Sequence, residues 1–262
     1  MTKQETPQYG HRVIRPFAIL GMLGILGLTV TVLAFWFSQP MNWILWIIGI
    51  PLAFIGIWLG ITYVVVYRKV IMPEYISLLG SNVTDFDDSL HGDEHILVVG
   101  CGSGRVAIEL AKLLTTGQVT GIDIFEQVNK DGPNRPSENA RIEGVKNKVT
   151  FQYGDATNIP FEDASFDLLT MDNVLHEIEE EELKIQALSE AYRVLKPGGR
   201  LVILEWIRNR KMSTRFLFFA FMFKSLDYWN TLLAAFTDYQ IGDPHVIKGP
   251  IDIVVYTMKK PD

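Results

Sequence analysis

The apolar positions of the chain are concentrated near its N-terminus. Residues 17–38 and residues 41–67 contain no charged side chain, and each stretch is long enough for a helix that crosses a bilayer, which needs about 20 apolar residues. Gln39 and Pro40 separate the two stretches. The pattern therefore predicts a transmembrane helical hairpin at about 17–38 and 41–67, within an N-terminal membrane anchor that covers residues 1–69.

The charged residues beside these stretches predict an orientation. Basic side chains flank the hairpin on both sides: Arg12, Arg15, Arg68 and Lys69. The positive-inside rule then places both ends of the hairpin, and the domain that follows it, in the cytoplasm. The sequence thus predicts an integral membrane protein with the lipid bilayer as a partner. A signal peptide is the alternative for the first stretch, and two buried helices of a soluble domain are the alternative for both.

After a linker at residues 70–92, the apolar positions form short runs that alternate with helical patterns. Strands are predicted at Ile96–Val99, Gln118–Ile124, Lys148–Tyr153, Phe166–Met171, Arg200–Trp206 and Ile251–Met258. Leu188 and Ala191 lie on one face of a predicted amphipathic helix, Glu179–Leu195. Because alternating strands and helices are typical of a parallel sheet, residues 93–262 are predicted to form an α/β domain.

Two segments of this domain have an unusual composition. Residues 129–136 are rich in turn-forming residues and are predicted to be a mobile lid, and Ser137 is predicted to cap a short helix that ends at Gly144. The stretch Phe216–Phe223 is apolar on every helical face and is flanked by basic residues. We predict an interfacial helix at about 211–230, with burial in the core or against a partner subunit as the alternative.

A glycine-rich turn follows the first predicted strand. Gly100, Gly102 and Gly104 precede a helical pattern that starts at Arg105. A strand that runs into a glycine turn and a helix is how α/β folds bind adenosine-containing cofactors, because a side chain would block the ligand's approach to the backbone. The G-x-G-x-G spacing favours a nucleoside without a pyrophosphate. Asp123 ends the second strand, where a carboxylate can hold both ribose hydroxyls.

Several motifs in order then resemble one enzyme family. VVGCGSG, GID, GDATNIPFEDASFDLL, VLHEI and RVLKPGGRLVILE, which fall within residues 94–206, resemble the class I S-adenosylmethionine (SAM) methyltransferases. Within that class, the chain is most similar in character to the quinone and small-molecule C-methyltransferases. The resemblance implies SAM as the cofactor and a Rossmann-like, mostly parallel sheet whose last strand is antiparallel, here preceded by the predicted hairpin.

The resemblance also implies a set of cofactor-binding residues. They are Gly100, Cys101, Gly102, Gly104, Asp123, Ile124, Asp155 and Ala156. Asp123 would bind the ribose, Ile124 would cover the adenine ring, and Asp155 with the Ala156 amide would contact the adenine edge. Capping of turns at strand ends is the alternative role for both aspartates. One position departs from the family, since Val98 stands where the family usually has an acidic residue, two before the first glycine.

A polar cluster after the fourth predicted strand supplies the catalytic candidates. Ligands bind outside the carboxyl ends of parallel strands, so this cluster can face the methyl acceptor. The candidates are His176, Asp172 and Glu177, with Asn173 among them. His176 titrates in a range that suits a general base, and an equally weighted alternative is a structural histidine. Glu205 is a second, weaker base candidate, and no residues have the spacing of metal ligands.

The net charge and the cysteine content bear on the partners and the compartment of the protein. The formal net charge of −6 argues against a nucleic-acid partner. The single cysteine, Cys101, argues for a reducing compartment. The predicted function is a membrane-anchored SAM-dependent methyltransferase that acts on a lipid, a quinone or another membrane-partitioned acceptor. The alternatives are a methyltransferase of a soluble small molecule or protein and a non-catalytic SAM-binding membrane scaffold. The acceptor atom and the oligomeric state are left open.

Overall fold

The structure is a computed structural model. It describes residues 72–80, 90–125, 132–210, 223–249 and 252–262 without gaps, together with scattered residues before Met72. The chain separates into two compact units, residues 1–10 with 73–262 and residues 11–72. The predicted lid lies largely outside the described residues, as does most of the apolar stretch Phe216–Phe223.

The predicted transmembrane hairpin is not supported. A span needs about 20 consecutive apolar residues in one helix. Among the described residues, no helix is long and apolar enough to cross a bilayer. The predicted localisation, an integral membrane protein with a cytoplasmic domain, is therefore wrong. Most of the two predicted spans, 17–38 and 41–67, lies outside the described residues.

The larger unit is built from alternating strands and helices. The described helices are α1 (Met72–Gly80), α2 (Arg105–Leu113), α3 (Asn134–Ile142), α4 (Glu181–Val194) and α5 (Leu226–Ala234). The strands are β1 (His95–Val99), β2 (Gln118–Asp123), β3 (Val149–Tyr153), β4 (Phe166–Asp172), β5 (Leu195–Trp206), β6 (Gln240–Ile241), β7 (His245–Ile247) and β8 (Ile253–Lys259).

These strands form one eight-stranded sheet in the order β3-β2-β1-β4-β5-β8-β6, with β7 paired to β8. The strands from β1 to β5 are parallel, and β8 is antiparallel to β5. The predicted mostly parallel sheet with an antiparallel last strand is confirmed. Since β1 is flanked by β2 and β4, the strand order reverses beside it, and ligands of such sheets bind at that crevice.

A continuous apolar core lies between the sheet and α4. Leu97, Leu169 and Leu201 occupy neighbouring strands and pack in the same cluster as Leu188 of α4. The run of apolar residues in β1 and β4 is explained by burial on both faces, as is usual for parallel strands. Trp229 of α5 belongs to the same core and is fully buried.

Two element boundaries differ from the prediction. Helix α3 begins at Asn134, and the Ser137 hydroxyl donates to the Pro133 carbonyl over 2.7 Å, so Ser137 lies inside the first turn and does not cap it. Strand β5 begins at Leu195 instead of Arg200, because Leu195 pairs with Phe166 before a register irregularity. The Lys-Pro-Gly-Gly sequence therefore sits within β5 rather than in a separate loop.

The burial difference along α4 yields a stability prediction. Leu188 is fully buried, whereas 38% of Leu183 on the same helix is exposed. Leu188→Ala should lower the free energy of unfolding by about 2–5 kcal/mol because it leaves a cavity. The matched change Leu183→Ala should cost under about 0.5 kcal/mol. Denaturant unfolding monitored by circular dichroism measures both, and equal losses would contradict the packing described above.

Candidate active site

The glycine turn forms the end of β1 at the crevice. Gly100 and Gly102 have φ angles of 69° and 52°, a region that L side chains avoid. A Cβ atom on Gly100 would lie 2.4 Å from Cγ2 of Val174, so that position admits no side chain. A Cβ on Gly102 would meet no atom within 4 Å. The backbone at Gly102 therefore faces open space, which a ligand can enter.

Asp123 is held against this turn. Its Oδ2 accepts a hydrogen bond of 2.8 Å from the Gly102 amide, and its Oδ1 accepts one of 2.7 Å from the Phe125 amide. The Cys101 amide donates to the Ile122 carbonyl over 3.0 Å, which ties the turn to β2. Burial raises the pKa of the Cys101 thiol, and the Asp123 charge adds to the effect. The carboxylate thus sits beside the open turn.

The other two predicted adenine contacts lie next to Asp123. Ile124 keeps 46% of its surface exposed, which is unusual for an apolar residue beside a buried strand. Asp155 follows β3, and its Oδ1 accepts hydrogen bonds of 2.8 Å from both the amide and the hydroxyl of Thr157. Asp155 therefore caps a turn, which is the alternative role that sequence analysis gave to it. It also lies with Ala156 at the carboxyl edge of the sheet.

These features fit an adenosine-containing cofactor. The turn is open at Gly102, a carboxylate stands next to it, and Ile124 presents an apolar surface nearby. Ribose hydroxyls are donors that a carboxylate can accept, since each oxygen of Asp123 has a further lone pair. The structure thus brings together the predicted cofactor-binding residues from β1, β2 and β3 at one edge of the sheet.

The catalytic candidates lie at the end of β4 and directly after it, on the other side of the crevice. The Val174 side chain touches Gly100, so this segment borders the glycine turn. A short 3₁₀ turn then spans Leu175–Glu177. The Leu175 backbone amide donates a hydrogen bond of 2.8 Å to Oε1 of Glu205. Nδ1 of His176 lies 2.7 Å from Oε2 of the same carboxylate. Glu205 has no exposed surface and anchors the turn to β5.

The charge of His176 is set by this contact. Burial lowers the pKa of the imidazole, but the charge of Glu205 and the hydrogen bonds to Glu177 and Glu205 outweigh it and raise the pKa to about 10. The imidazole is therefore mainly protonated at neutral pH. This protonation state suits a group that stabilises a developing anion better than one that removes a proton.

An aromatic ring lies beside the same imidazole, and a second ring packs on the first. The Phe223 ring lies 5.7 Å from the His176 ring and 5.9 Å from the Trp206 ring, measured between centroids. Trp206 is almost fully buried at the end of β5. Sequence analysis missed both aromatic contacts and ranked Glu205 as a weak candidate. The signal for Glu205 was present, since an acidic residue ends the apolar run of β5.

Asp172 is the last residue of β4, and Asn173 follows it before the 3₁₀ turn that holds His176. Burial raises the pKa of the Asp172 carboxyl to about 7, and the Glu205 charge adds to the rise, while the Asn173 hydrogen bond and the His176 charge oppose it. The side-chain nitrogen Nδ2 of Asn173 donates a hydrogen bond to Oδ1 of Asp172. Asn173 has a φ angle of 56°, which non-glycine residues rarely adopt. The structure therefore places the three predicted catalytic residues and Asn173 in one short segment beside the glycine turn.

Comparisons with known proteins agree with this fold. Residues 97–203 match a family model described as a methyltransferase domain. In its fold and in this matched segment, the described α/β domain is similar to the class I SAM-dependent methyltransferases. SAM is the cofactor of that class.

Individual relatives carry more specific names. The chain is 36% identical over 141 residues to a demethylmenaquinone methyltransferase of Symbiobacterium thermophilum, covering 53% of this chain and 51% of that protein. It is 34% identical over 118 residues to a 27-O-demethylrifamycin SV methyltransferase of Amycolatopsis mediterranei, covering 45% of this chain and 40% of that protein. The chain thus spans about half the length of the curated relatives it matches.

A solved structure shares the fold. It is a SAM-dependent methyltransferase of Methanosarcina mazei, with a TM-score of 0.55 and 23% identity, and the match covers 66% of this chain and 95% of that one. At this identity the similarity supports the fold alone.

The His176–Glu205 pair yields a prediction on stability and pH. His176→Gln leaves the Glu205 carboxylate buried without its cationic partner and should cost about 3–5 kcal/mol of unfolding free energy at pH 6. The pKa of His176 is raised from 6.5 to about 10 in the folded state. Protonation of His176 therefore contributes its full share of the unfolding free energy below pH 6.5, and this share is lost as the pH rises through about 10. The difference between wild type and variant should therefore shrink over that interval.

Glu177→Gln is the control for this experiment. Its carboxylate lies 3.5 Å from His176 Nε2, and 40% of the Glu177 side chain is exposed. An exposed ion pair contributes under about 1 kcal/mol, so this variant should unfold nearly as the wild type does. A loss for His176→Gln that stays constant from pH 6 to 10 would refute the assigned protonation.

Proposed function

We propose that the chain transfers a methyl group from SAM to a ring carbon of a reduced quinone, that is, of an aromatic quinol. The observation that carries the proposal is the buried His176–Glu205 pair, which lies beside the glycine turn and under an aromatic ring. The name of the Symbiobacterium thermophilum relative, a demethylmenaquinone methyltransferase, supports a quinone-type acceptor. Motif similarity alone would leave the acceptor open.

The cofactor half of the site is assigned to the ends of β1, β2 and β3. When SAM is bound, it supplies an electrophilic methyl group on a sulfonium, and its leaving group is a neutral thioether. Asp123 would accept hydrogen bonds from the ribose, and Ile124 would cover the adenine. Asp155 would keep its turn in place and present the Ala156 amide to the adenine edge. The open face at Gly102 leaves room for the backbone to contact the ligand.

The acceptor half is assigned to the segment after β4 and to the aromatic residues around it. A quinol ring is flat and apolar, so it can pack against Phe223. Loss of one phenolic proton to water produces a phenolate whose electron pair makes the neighbouring ring carbon nucleophilic. The protonated His176 would stabilise this anion, and Glu205 would hold the imidazole in place. After the carbon–carbon bond forms, the ring carbon loses its proton to water and the phenolic oxygen takes one back from water, so one methyl group replaces one ring proton overall.

The oxidation state of the acceptor tests this chemistry. The ring carbons of the reduced quinol are electron-rich and nucleophilic, whereas those of the oxidised quinone are electrophilic and do not attack the methyl group. Purified protein should transfer isotope-labelled methyl from SAM to a prenylated 1,4-naphthoquinol that lacks the ring methyl, and should leave the oxidised form unmodified. Mass spectrometry with fragmentation distinguishes a methyl on carbon from one on oxygen.

Two outcomes would contradict the proposal. Methyl transfer to a phenolic oxygen would place the chain with O-methyltransferases, as the name of the rifamycin relative would suggest. Absence of transfer to the quinol, in protein that binds SAM, would refute the quinone-type acceptor while leaving the cofactor in place.

The cofactor assignment has its own test. Asp123→Ala removes the carboxylate that would accept two ribose hydrogen bonds, each contributing about 1.5–3 kcal/mol when made to a charged group. SAM affinity measured by calorimetry should therefore fall more than about tenfold. Asp163→Ala is the matched control, because 78% of the Asp163 side chain is exposed, in a turn that precedes β4 at the opposite edge of the sheet. Unchanged affinity in Asp123→Ala would refute the assignment.

A further inference from the structure

A lysine interrupts the buried face of α4. The buried residues of this helix lie on one face, and they are Lys184, Ala187, Leu188, Ala191 and Val194. Apolar side chains are expected on a helix face that packs against a sheet. Lys184 is the exception, and only 2% of its surface is exposed. A buried ammonium group is costly unless it is hydrogen-bonded, so the contacts of this side chain indicate its role.

The ammonium group of Lys184 binds the chain just before α4. Its Nζ donates a hydrogen bond to the Ile178 carbonyl, and a second one of 3.1 Å to the Glu179 carbonyl. These two residues directly follow the 3₁₀ turn Leu175–Glu177. Carbonyls at the C-terminal end of a helical turn carry partial negative charge, which a cation stabilises. Lys184 therefore holds the C-terminal end of the turn that carries His176.

The two ends of this turn are held by buried groups of opposite charge. At the N-terminal end, Glu205 accepts hydrogen bonds of 2.8 Å from the Leu175 amide and of 3.4 Å from the His176 amide. Lys184 donates at the other end. An anion at the amides and a cation at the carbonyls both match the dipole of a helical turn. His176 lies between these two anchored ends of the chain.

Both anchors are needed to fix the position of the imidazole. A chain that is held at one end can still rotate about that end, and the backbone leaves the helical conformation at Ile178, where φ is −82° and ψ is 120°. Movement of this end would strain or lengthen the bond between His176 Nδ1 and Glu205, which is 2.7 Å here. A displacement of about 1 Å in a catalytic site can lower the rate about a hundredfold.

We propose that Lys184 is a positioning residue for methyl transfer. By holding the Ile178 and Glu179 carbonyls, it keeps the His176 imidazolium in place against Glu205 and towards the acceptor. Lys184 itself acts through the turn and not on the acceptor. The catalytic consequence rests on the proposed function, because it presupposes that His176 stabilises an anionic acceptor. The anchoring of the turn requires no ligand and can be measured in the protein alone.

The protonation of His176 reports on its position. The charged groups around His176 and Lys184 are Asp172, Glu177, Glu180, Glu181, Glu205 and Lys224. The charge of Glu205 and its hydrogen bond raise the pKa of His176, so a turn that drifts away from Glu205 should have a lower imidazole pKa. Loss of the Lys184 charge by itself would act in the opposite direction, because removal of a nearby cation favours the imidazolium. The direction of the shift thus separates positioning from simple electrostatics.

Lys184→Met tests the proposal, since it removes the ammonium group and keeps most of the alkyl chain. The pKa of His176, followed by NMR titration of the imidazole without ligands, should fall from about 10 towards 6.5. With the quinol as acceptor, kcat should fall about ten- to hundredfold, and its alkaline limb should move to lower pH. KM for the quinol and the affinity for SAM should stay close to the wild-type values.

Two variants serve as controls. Leu188→Ala lies on the same buried face of α4 and should destabilise the fold, but it should leave the titration of His176 unchanged in the folded protein. Lys146→Met removes an exposed lysine that follows α3 and should match the wild type in both measurements. An equal fall of the His176 pKa in Leu188→Ala would overturn the proposal, because any loss of packing would then have the same effect.

The remaining outcomes are also decisive. An unchanged or raised His176 pKa in folded Lys184→Met would overturn the proposal. If that variant does not fold, Lys184→Gln, which keeps N–H donors without the charge, takes its place. Failure of both variants to fold would overturn the proposal too, because the lysine would then be required by the fold as a whole. Absence of transfer to the quinol by wild type would instead refute the proposed function, and the ligand-free titration would still test the anchoring.

Discussion

The buried carboxylate of Glu205 is the interaction on which the candidate site depends. A charge without exposed surface is costly unless it is paired and hydrogen-bonded. Here the Leu175 amide and the His176 imidazole both donate to it. These contacts fix the turn after β4 and set the protonation of His176. Burial raises the pKa of Asp172, and the charge of Glu205 adds to the rise. One side chain at the end of β5 thereby organises residues that come from another strand.

The sheet topology makes this organisation possible. Since β1 lies between β2 and β4, the glycine turn and the segment after β4 emerge side by side at the carboxyl edge. The contact between Gly100 and Val174 joins the two halves directly. A side chain at Gly100 would push the catalytic segment away from the cofactor segment. The absence of a Cβ at that position therefore serves the geometry of both halves.

Local patterns were sufficient to predict part of this structure. The apolar runs, the glycine turn and Asp123 are neighbours in sequence, and their arrangement follows from local rules. The role of Glu205 and the contacts of Phe223 depend on residues far apart in the chain, which spacing cannot reveal. The hairpin prediction rested on the absence of charged residues, and no helix among the described residues is long and apolar enough to support it.

His176 couples the two acidic side chains of the site. The imidazolium interacts with Asp172 as well as with Glu205. Because the fully buried Glu205 holds the ring through Nδ1, the positive charge is kept just after β4, where the proposed phenolate would need a positive neighbour. The Glu205 carboxylate has no exposed surface of its own, so it would act on an acceptor through His176.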